Sequence, residues 1–296
     1  MSQAPLRIGD LLAQGGRSFS FEFFPPKDEE GERILWQSIS ELEPLQPTFV
    51  SVTYGAGGTT RERTVAITGR IASETSMLPM AHLTCVGHTT GEIERILASL
   101  TEAGVHNVLA LRGDPPEGPG TEWITTEGGV DNASDLVSLI RSSREDLSVG
   151  VAAFPEGHRD SLTLEDDVRV MRAKYDAGAE FAVTEMVLRA SDYFGLVERA
   201  EAAGIDFAII PGLMPITNLN QIKRMAELSG REVPPEAVAR ISAHEGNPAA
   251  IRAEGIAMAT ELADALLEGG APGLHFYTLN RSKATREIYA GLSQQV

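Results

Sequence analysis

Phe19-Ser20-Phe21-Glu22-Phe23-Phe24-Pro25-Pro26-Lys27 reads as a short strand. Aromatic residues suit a pleated, half-buried surface, and the prolines end the run by removing ladder donors. Glu22 is the foreign residue. An ionised carboxylate among phenylalanines is costly unless paired, and desolvation pushes such a group toward holding a proton near neutral pH. Two readings follow. Glu22 is a general acid, or it is a carboxylate at a strand end that pairs with Arg or Lys or faces water.

Working outward, the same kind of segment recurs. Short apolar runs at Phe49 to Thr53, Met80 to Thr84, Asn107 to Leu111, Ser148 to Ala153, Phe181 to Thr184, Phe207 to Ile210 and Leu274 to Tyr277 read as strands. Helical patterns separate them. Asp28 to Glu43 carries Ile34, Leu35, Ile39 and Leu42 on one side, and Thr89-Thr90-Gly91-Glu92 forms a capping box ahead of the stripe Ile93, Ile96, Leu97 and Leu100. Further helices are predicted over 61–76, 134–144, 164–177, 192–203 and 218–229. Another is opened by Asn247-Pro248 and closed by Gly269-Gly270, and a terminal helix follows Leu279-Asn280-Arg281. Eight strands alternating with helices imply parallel pairing with right-handed crossovers, most simply closed into a (β/α)8 TIM-type barrel. An open doubly wound sheet fits the count and regular spacing less well. The whole chain, 1–296, reads as one barrel domain with an insertion before the last strand, around Pro234 to Glu245.

Composition bounds the function. The chain has 296 residues, 42% of them hydrophobic, enough for a sizeable core. Its net charge of −17 argues against nucleic acid or an anionic membrane as main partner, so an anionic ligand needs a local basic group or backbone N–H donors. One cysteine, Cys85, excludes an intrachain disulfide and a thiolate cluster and fits a reducing compartment. With no signal-peptide run over 1–17 and no bilayer-length apolar stretch, the reading is a soluble cytoplasmic protein, with room for a homo-oligomer. No histidine pair has metal-ligand spacing with a supporting carboxylate, so no metal is expected. The absence of a nucleophile elbow and of a Walker A loop weakens hydrolase and nucleotide-triphosphatase readings.

In a barrel, residues just past each strand form the active-site mouth. Those residues here are Glu22; Thr53 with the glycine-rich loop Gly55–Gly58; His82 and Thr84; Arg112 and Asp114; His158; Thr184 and Glu185; Gln221; and Tyr277, Asn280 and Arg281. Glu22, Asp114 and Glu185 are thus expected to converge with Arg112 and Arg281. Each has a bland alternative. His82 suits a core histidine, the glycine run a turn, Arg112-Gly113-Asp114 a local ion pair, and Lys174 a solvated helix charge.

Five segments in register, Phe21-Glu22-Phe23-Phe24-Pro25-Pro26-Lys27, Val52-Thr53-Tyr54-Gly55-Ala56, His82-Leu83-Thr84-Cys85, Leu111-Arg112-Gly113-Asp114 and Phe276-Tyr277-Thr278-Leu279-Asn280-Arg281, strongly resemble the methylenetetrahydrofolate reductase family. The resemblance covers nearly the whole chain. It implies a flavoprotein that reduces 5,10-methylenetetrahydrofolate to 5-methyltetrahydrofolate, with reducing equivalents from NADH or NADPH passing through FAD. It implies that Glu22 is the general acid at folate N10, and that Asp114 is the acidic residue beside flavin and folate. It implies folate and nicotinamide contacts for Glu185, Gln221 and Arg281. FAD contacts are implied for Thr53, His82, Arg112, Gly113, Asp114, Ala152, Phe154, His158, Asp167 and Lys174, with Arg112 and Lys174 anchoring the diphosphate.

Three positions depart from the family pattern. Glu185 stands where Gln is common, Met225 where some members have a stacking Phe, and Phe154 where a Tyr is found. Glu185 is expected to face the site, either protonated or as a carboxylate that raises the Glu22 pKa; the alternative is a pair with Arg189. Competing functions are a flavin-free or partner-reduced reductase of the same fold, and a folate- or flavin-binding module without turnover. The convergent acids argue against the last.

Overall fold

Alternation along each strand sorts the side chains of this chain onto two surfaces. In the computed structural model, which describes residues 5–54, 61–115, 117–118, 121–218, 220–221, 224 and 233–292, the strands are β1 (Ser18–Phe23), β2 (Phe49–Val52), β3 (Pro79–Thr84), β4 (Asn107–Leu111), β5 (Ser148–Ala153), β6 (Phe181–Met186), β7 (Ala208–Leu213) and β8 (Gly273–Tyr277). They form a closed barrel in chain order, β8 returning to pair in parallel with β1. The (β/α)8 expectation is met. One set of side chains, including Phe21, Phe23, Val50, Leu83, Val108, Val151 and Phe276, packs outward against the helices; the other, including Phe49, Met80, Leu109, Phe181 and Ile210, fills the barrel interior.

The helices are α1 (Ile8–Ala13), α2 (Glu29–Leu42), α3 (Arg61–Glu74), α4 (Thr90–Glu102), α5 (Ala133–Ser143), α6 (Leu164–Asp176), α7 (Ala190–Ala202), α8 (Pro235–Ser242), α9 (Pro248–Glu268) and α10 (Ser282–Leu292). Asp28, Thr89, Asn132, Thr163 and Asn247 cap α2, α4, α5, α6 and α9 with side-chain oxygens. Each such cap is worth about 0.5–2 kcal/mol, and their positions fix where each helix leaves the barrel rim. The insertion before β8 contains α8, which builds a small core of its own from Ile216, Val233, Ala237, Ile241 and Ile251. The glycine-rich loop, Met225 and most of the helix expected over 218–229 lie outside the described residues.

Helix α1 is not among the elements expected from the sequence. It plugs the base of the barrel: the Ile8 N–H donates to Asn107 Oδ1 at 2.8 Å, the Gly9 N–H donates to Ser148 Oγ at 2.9 Å, and the Ile8 side chain joins the interior cluster. Arg7 pairs with Glu180 beside it. Among the described residues, α1 thus covers the end of the barrel at which its strands begin.

Candidate active site

Glu22 lies on the interior face of β1, together with Ser20. Its flanking phenylalanines do not surround it. Phe21 and Phe23 point the other way, into the layer between barrel and helices. This corrects the expectation that aromatic neighbours desolvate Glu22. The barrel interior desolvates it, and its neighbours there are polar. Its carboxyl oxygen Oε2 lies 3.4 Å from Ser51 Oγ on β2, 3.4 Å from His82 Nε2 on β3 and 3.4 Å from His275 Nε2 on β8. With Glu22 only 5% exposed, burial raises its pKa, and this outweighs the opposing influence of His82 and Ser51.

The two histidines are not cations that would reverse this. Burial lowers the pKa of His82, and takes His275 down to about 3. Both are neutral at neutral pH, so their contacts with Glu22 are not salt bridges. His275 is stacked on Phe49, ring centroids 5.8 Å apart and planes at 18°, and its Nδ1 is 2.7 Å from Ser20 Oγ.

Glu22 is also gripped through its backbone. Its carbonyl accepts the Thr278 hydroxyl proton at 2.6 Å. Two residues on, the Asn280 amide bridges Phe24, its Oδ1 accepting from Phe24 N–H and its Nδ2 donating to Phe24 C=O, each at 2.8 Å. This latch needs Leu279 and Asn280 in the left-handed region, at φ 52° and 57°. Such backbone is sparsely populated by non-glycine residues, Asn being among the more tolerant, and persists where surrounding bonds over-determine it.

Above Glu22 stand Tyr277 and Glu185. The Tyr277 hydroxyl donates to Thr184 C=O at 2.7 Å, and its ring lies over Gly212, where a Cβ would come within 2.6 Å of Tyr277 Cε2. The strand pair β6–β7 is irregular between Val183 and Met186, a bulge of the sort that re-aims side chains beside active sites. There Glu185 meets solvent through the mouth but has protein on its other sides. Burial, then the charges of Glu22 and Asp114, push its carboxyl up to about 7; access to water tempers that push without reversing its direction. Arg189, the alternative partner of Glu185, is instead paired with Glu236 at 2.9 Å.

A second cluster occupies the β4–β5–α6 side of the rim. Arg112 binds Asp160 at 2.9 Å and lies over Trp123. Lys174, 6% exposed, donates to the Ala152 carbonyl at 2.8 Å, and burial takes its amine down to about 8 against the pull of Asp167. Asp167 accepts from His158 N–H at 2.9 Å and from the Ser161 hydroxyl at 2.8 Å, ordering the loop after β5, and Phe154 packs edge-on against His158. Gly113 turns at φ 86°, where any Cβ would sit 2.5 Å from Val86 Cγ1 and 3.0 Å from Thr84 Cβ. Asp114 follows it, exposed at the rim.

The structure thus gathers Arg112, Gly113, Ala152, Phe154, His158, Asp167 and Lys174 in one place. Of the other residues expected at the cofactor, His82 is turned onto Glu22, and Thr53 directly follows β2 with its N–H on Phe23 C=O. Gln221 uses its amide oxygen as a local cap, accepting from Thr217 N–H, Asn218 N–H and the Thr217 hydroxyl. Arg281 is exposed and lines a groove with Ile34 and Gln37 of α2 and Lys283 and Arg286 of α10. Neither makes a contact with Glu22 among the described residues. Sequence reasoning missed Ser20, Ser51, His275 and Gly212. Period-two alternation would have found the first three, because Ser20 and Glu22, Ser51 and Thr53, and His275 and Tyr277 fall on interior positions.

The family model described as methylenetetrahydrofolate reductase matches residues 7–293. The chain is 36% identical over 97% of its length to methylenetetrahydrofolate reductase (NADH) 1 of Arabidopsis thaliana, of which it covers 50%. It is 35% identical over 93% of its length to 5,10-methylenetetrahydrofolate reductase of Escherichia coli, of which it covers 90%. The chain therefore spans about half the length of the plant relative and nearly all of the bacterial one. Among solved structures, a Clostridium thermocellum protein described as binding two copies of 5-methyl-5,6,7,8-tetrahydrofolic acid superimposes with a TM-score of 0.64 over 98% of this chain and 99% of its own. At 14% identity that likeness shows the fold alone. The chain belongs to the methylenetetrahydrofolate reductase family.

Proposed function

We propose that this protein reduces 5,10-methylenetetrahydrofolate to 5-methyltetrahydrofolate with NADH as donor and FAD as the bound carrier. The observation that carries the reading is Glu22, a carboxyl on the interior face of the barrel whose pKa is raised by burial, in a chain of this family. On this reading the Glu22 proton passes to folate N10. The bond from N10 to the bridging carbon breaks with its electron pair going to N10, leaving a cationic iminium at N5 and the carboxylate of Glu22. Glu22 so formed, Glu185 and Asp114 supply negative charge near that cation.

The residues present fit a flavin dinucleotide. A diphosphate needs cations, and this acidic chain offers Arg112 and the buried Lys174 side by side on the β4–β5–α6 rim. The Gly113 turn permits close backbone approach there, and Phe154 supplies an apolar wall. When bound, FAD would carry hydride from the dinucleotide to the folate methylene; the protein would hold it, exclude water and manage the proton. NADH is preferred because that donor is named for the plant relative.

The test is the visible spectrum of the purified protein with an anaerobic assay of its two half-reactions. A flavin band near ~450 nm, bleached by NADH and restored by methylenetetrahydrofolate, is expected. A colourless protein that oxidises NADH with methylenetetrahydrofolate, unaffected by added FAD, would overturn the flavin assignment. Absence of any folate-dependent oxidation would overturn the activity.

A further inference from the structure

Where β6 leaves its regular pairing with β7, a side chain takes over a main-chain hydrogen bond. Counting on from Val183 opposite Ile210, a regular ladder would bring Glu185 opposite Gly212, but Met186 stands there. Thr184 and Glu185 together therefore oppose Pro211 alone. Proline has no N–H to offer, which suits a bulge. For the partners Met186 and Gly212, a regular parallel ladder carries two bonds: Val187 N–H to Gly212 C=O, and Gly212 N–H to Glu185 C=O. The first is present at 2.8 Å. The second is replaced. Gly212 N–H donates to Thr184 Oγ1 at 2.9 Å, and the Thr184 hydroxyl donates to Glu185 C=O at 2.6 Å. The hydroxyl is a one-atom spacer inserted into the ladder.

Burial makes this relay obligatory. Thr184 is 0% exposed, so the donors and acceptors around its hydroxyl must find one another rather than water. Its own carbonyl is taken by the Tyr277 hydroxyl from β8, and Gly212 leaves no room for a Cβ, which would come within 2.6 Å of that same carbonyl oxygen. The spacer holds the Glu185 peptide off β7. Beyond it the chain divides: Met186 packs against the core of the insertion, while Glu185 meets the mouth. The groups that face the Glu185 carboxyl are Glu22 from β1, Asp114 beyond β4 and Tyr277 from β8, and none of them is a cation. A donor close to it, the Met186 N–H, belongs to the same bulge. The direction of this carboxyl is therefore set by its own backbone, and the backbone is set by Thr184.

We propose that Thr184 is a positioning residue: its hydroxyl, inserted between Gly212 N–H and Glu185 C=O, sets the direction in which Glu185 is presented to the folate. This rests on the reading of the mouth as a folate site that Glu185 faces. Without the hydroxyl the ladder has two outcomes. Gly212 N–H and Glu185 C=O close on each other, or both stay buried without a partner, which costs more than an exposed loss would. Either outcome moves the Glu185 peptide and turns its carboxyl.

The experiment is a double-mutant cycle on the full chain as purified, read as the Kd of 5-methyltetrahydrofolate. Thr184→Val removes the hydroxyl at nearly constant shape, Thr184→Ser keeps it, and Glu185→Ala removes the side chain it directs. Thr184→Val is expected to weaken folate binding by about five- to tenfold, the scale of one hydrogen bond, and Thr184→Ser to stay within about twofold of wild type. On the Glu185→Ala background, Thr184→Val should change the Kd by less than about twofold, because no directed carboxyl is left to lose. A merely structural role would weaken binding equally on both backgrounds. Equal effects, or a Thr184→Val protein that binds folate like wild type, overturn the inference. A crystal structure of the unmutated protein tests it without any variant: Thr184 Oγ1 lying between Gly212 N and Glu185 O supports it, and a direct bond between those two groups overturns it. Equilibrium binding needs no turnover, so an inactive protein still reports on Thr184. Failure of the folate reading shows itself separately, as wild type that does not bind 5-methyltetrahydrofolate or as Glu185→Ala that binds it unchanged, and either result overturns this inference with it.

Discussion

Replacing Lys174 by Met should make the apoprotein more stable while weakening its hold on the proposed flavin dinucleotide. The lysine is 6% exposed, and burial takes its amine from the ordinary 10.5 to about 8. At about 1.4 kcal/mol per pH unit, that depression corresponds to about 3 kcal/mol. The sign is fixed by which state carries the cost. Below pH 8 the amine is charged in both folded and unfolded chains, and the folded chain bears the penalty. Above pH 10.5 it is neutral in both, and the penalty is gone. Wild-type stability should therefore gain about 3 kcal/mol from this residue as pH rises from 8 through 10.5. Methionine fills similar volume without charge, at the loss of one hydrogen bond to Ala152 C=O worth about 1 kcal/mol. The net expectation is about 2 kcal/mol of stabilisation at pH 7, with the rise between pH 8 and 10.5 abolished. Urea unfolding of both flavin-stripped proteins at several pH values measures it, the difference between them cancelling other titrating groups. A Lys174→Met protein that is less stable at pH 7, with the same pH dependence as wild type, would refute the claim that Lys174 is held at a cost for a ligand.

Glu22→Gln should reduce the folate half-reaction by about 10²–10⁴-fold and leave flavin reduction by NADH largely intact, since only the former needs a proton donor; stopped-flow traces of each half-reaction check this. Glu185→Gln should move the pH profile of flavin reoxidation near pH 7, where the wild-type carboxyl gains its charge and opposes ionisation of Glu22; an identical profile and folate affinity would place Glu185 outside the chemistry. Gly212→Ala should cost about 1–3 kcal/mol in urea unfolding, because the new methyl overlaps both the Tyr277 ring and Thr184 C=O; unchanged stability would mean that Tyr277 is not fixed over β7.

The barrel is legible because strand and helix periods alternate cleanly and two caps, Thr89 and Asn247, announce their helices in the residues themselves. Helix α1 is not. Six residues with a glycine inside carry too little periodicity, and what stabilises them is tertiary: Asn107 and Ser148 reach down from β4 and β5 to take their N–H groups. Glu22 stands out in the sequence for a partly wrong reason. Its linear neighbours are aromatic, but alternation sends them to the opposite face, and the partners that matter come from Ser51, His82 and His275, 29, 60 and 253 positions away. The setting of Glu185 depends on a bulge, which is a property of how β6 pairs with β7 rather than of either strand's composition. Gln221 illustrates the converse. Resemblance puts it at the folate, yet its amide oxygen is committed to the turn that carries it.

Charge in the mouth is divided, and the division matches what two different ligands would require. The protein as a whole carries −17, so a long-range field would repel any phosphate or folate carboxylate. The two cations Arg112 and Lys174 are nevertheless concentrated beside β4, β5 and α6, one half-exposed and one buried, where an anion would replace the solvation Lys174 has lost. Glu22 and Glu185 stand on β1 and β6 instead, and burial pushes both carboxyls upward, which lessens the negative charge they impose on an incoming anionic substrate. Once Glu22 gives up its proton, negative charge arises on the side of the mouth where a cationic folate would then need it. A site with fixed carboxylates would be better at holding the cation and worse at admitting its precursor. A carboxyl whose ionisation burial disfavours until its proton moves meets both demands, which is a physical reason for the proposed donor to lie in the barrel interior rather than on an exposed loop.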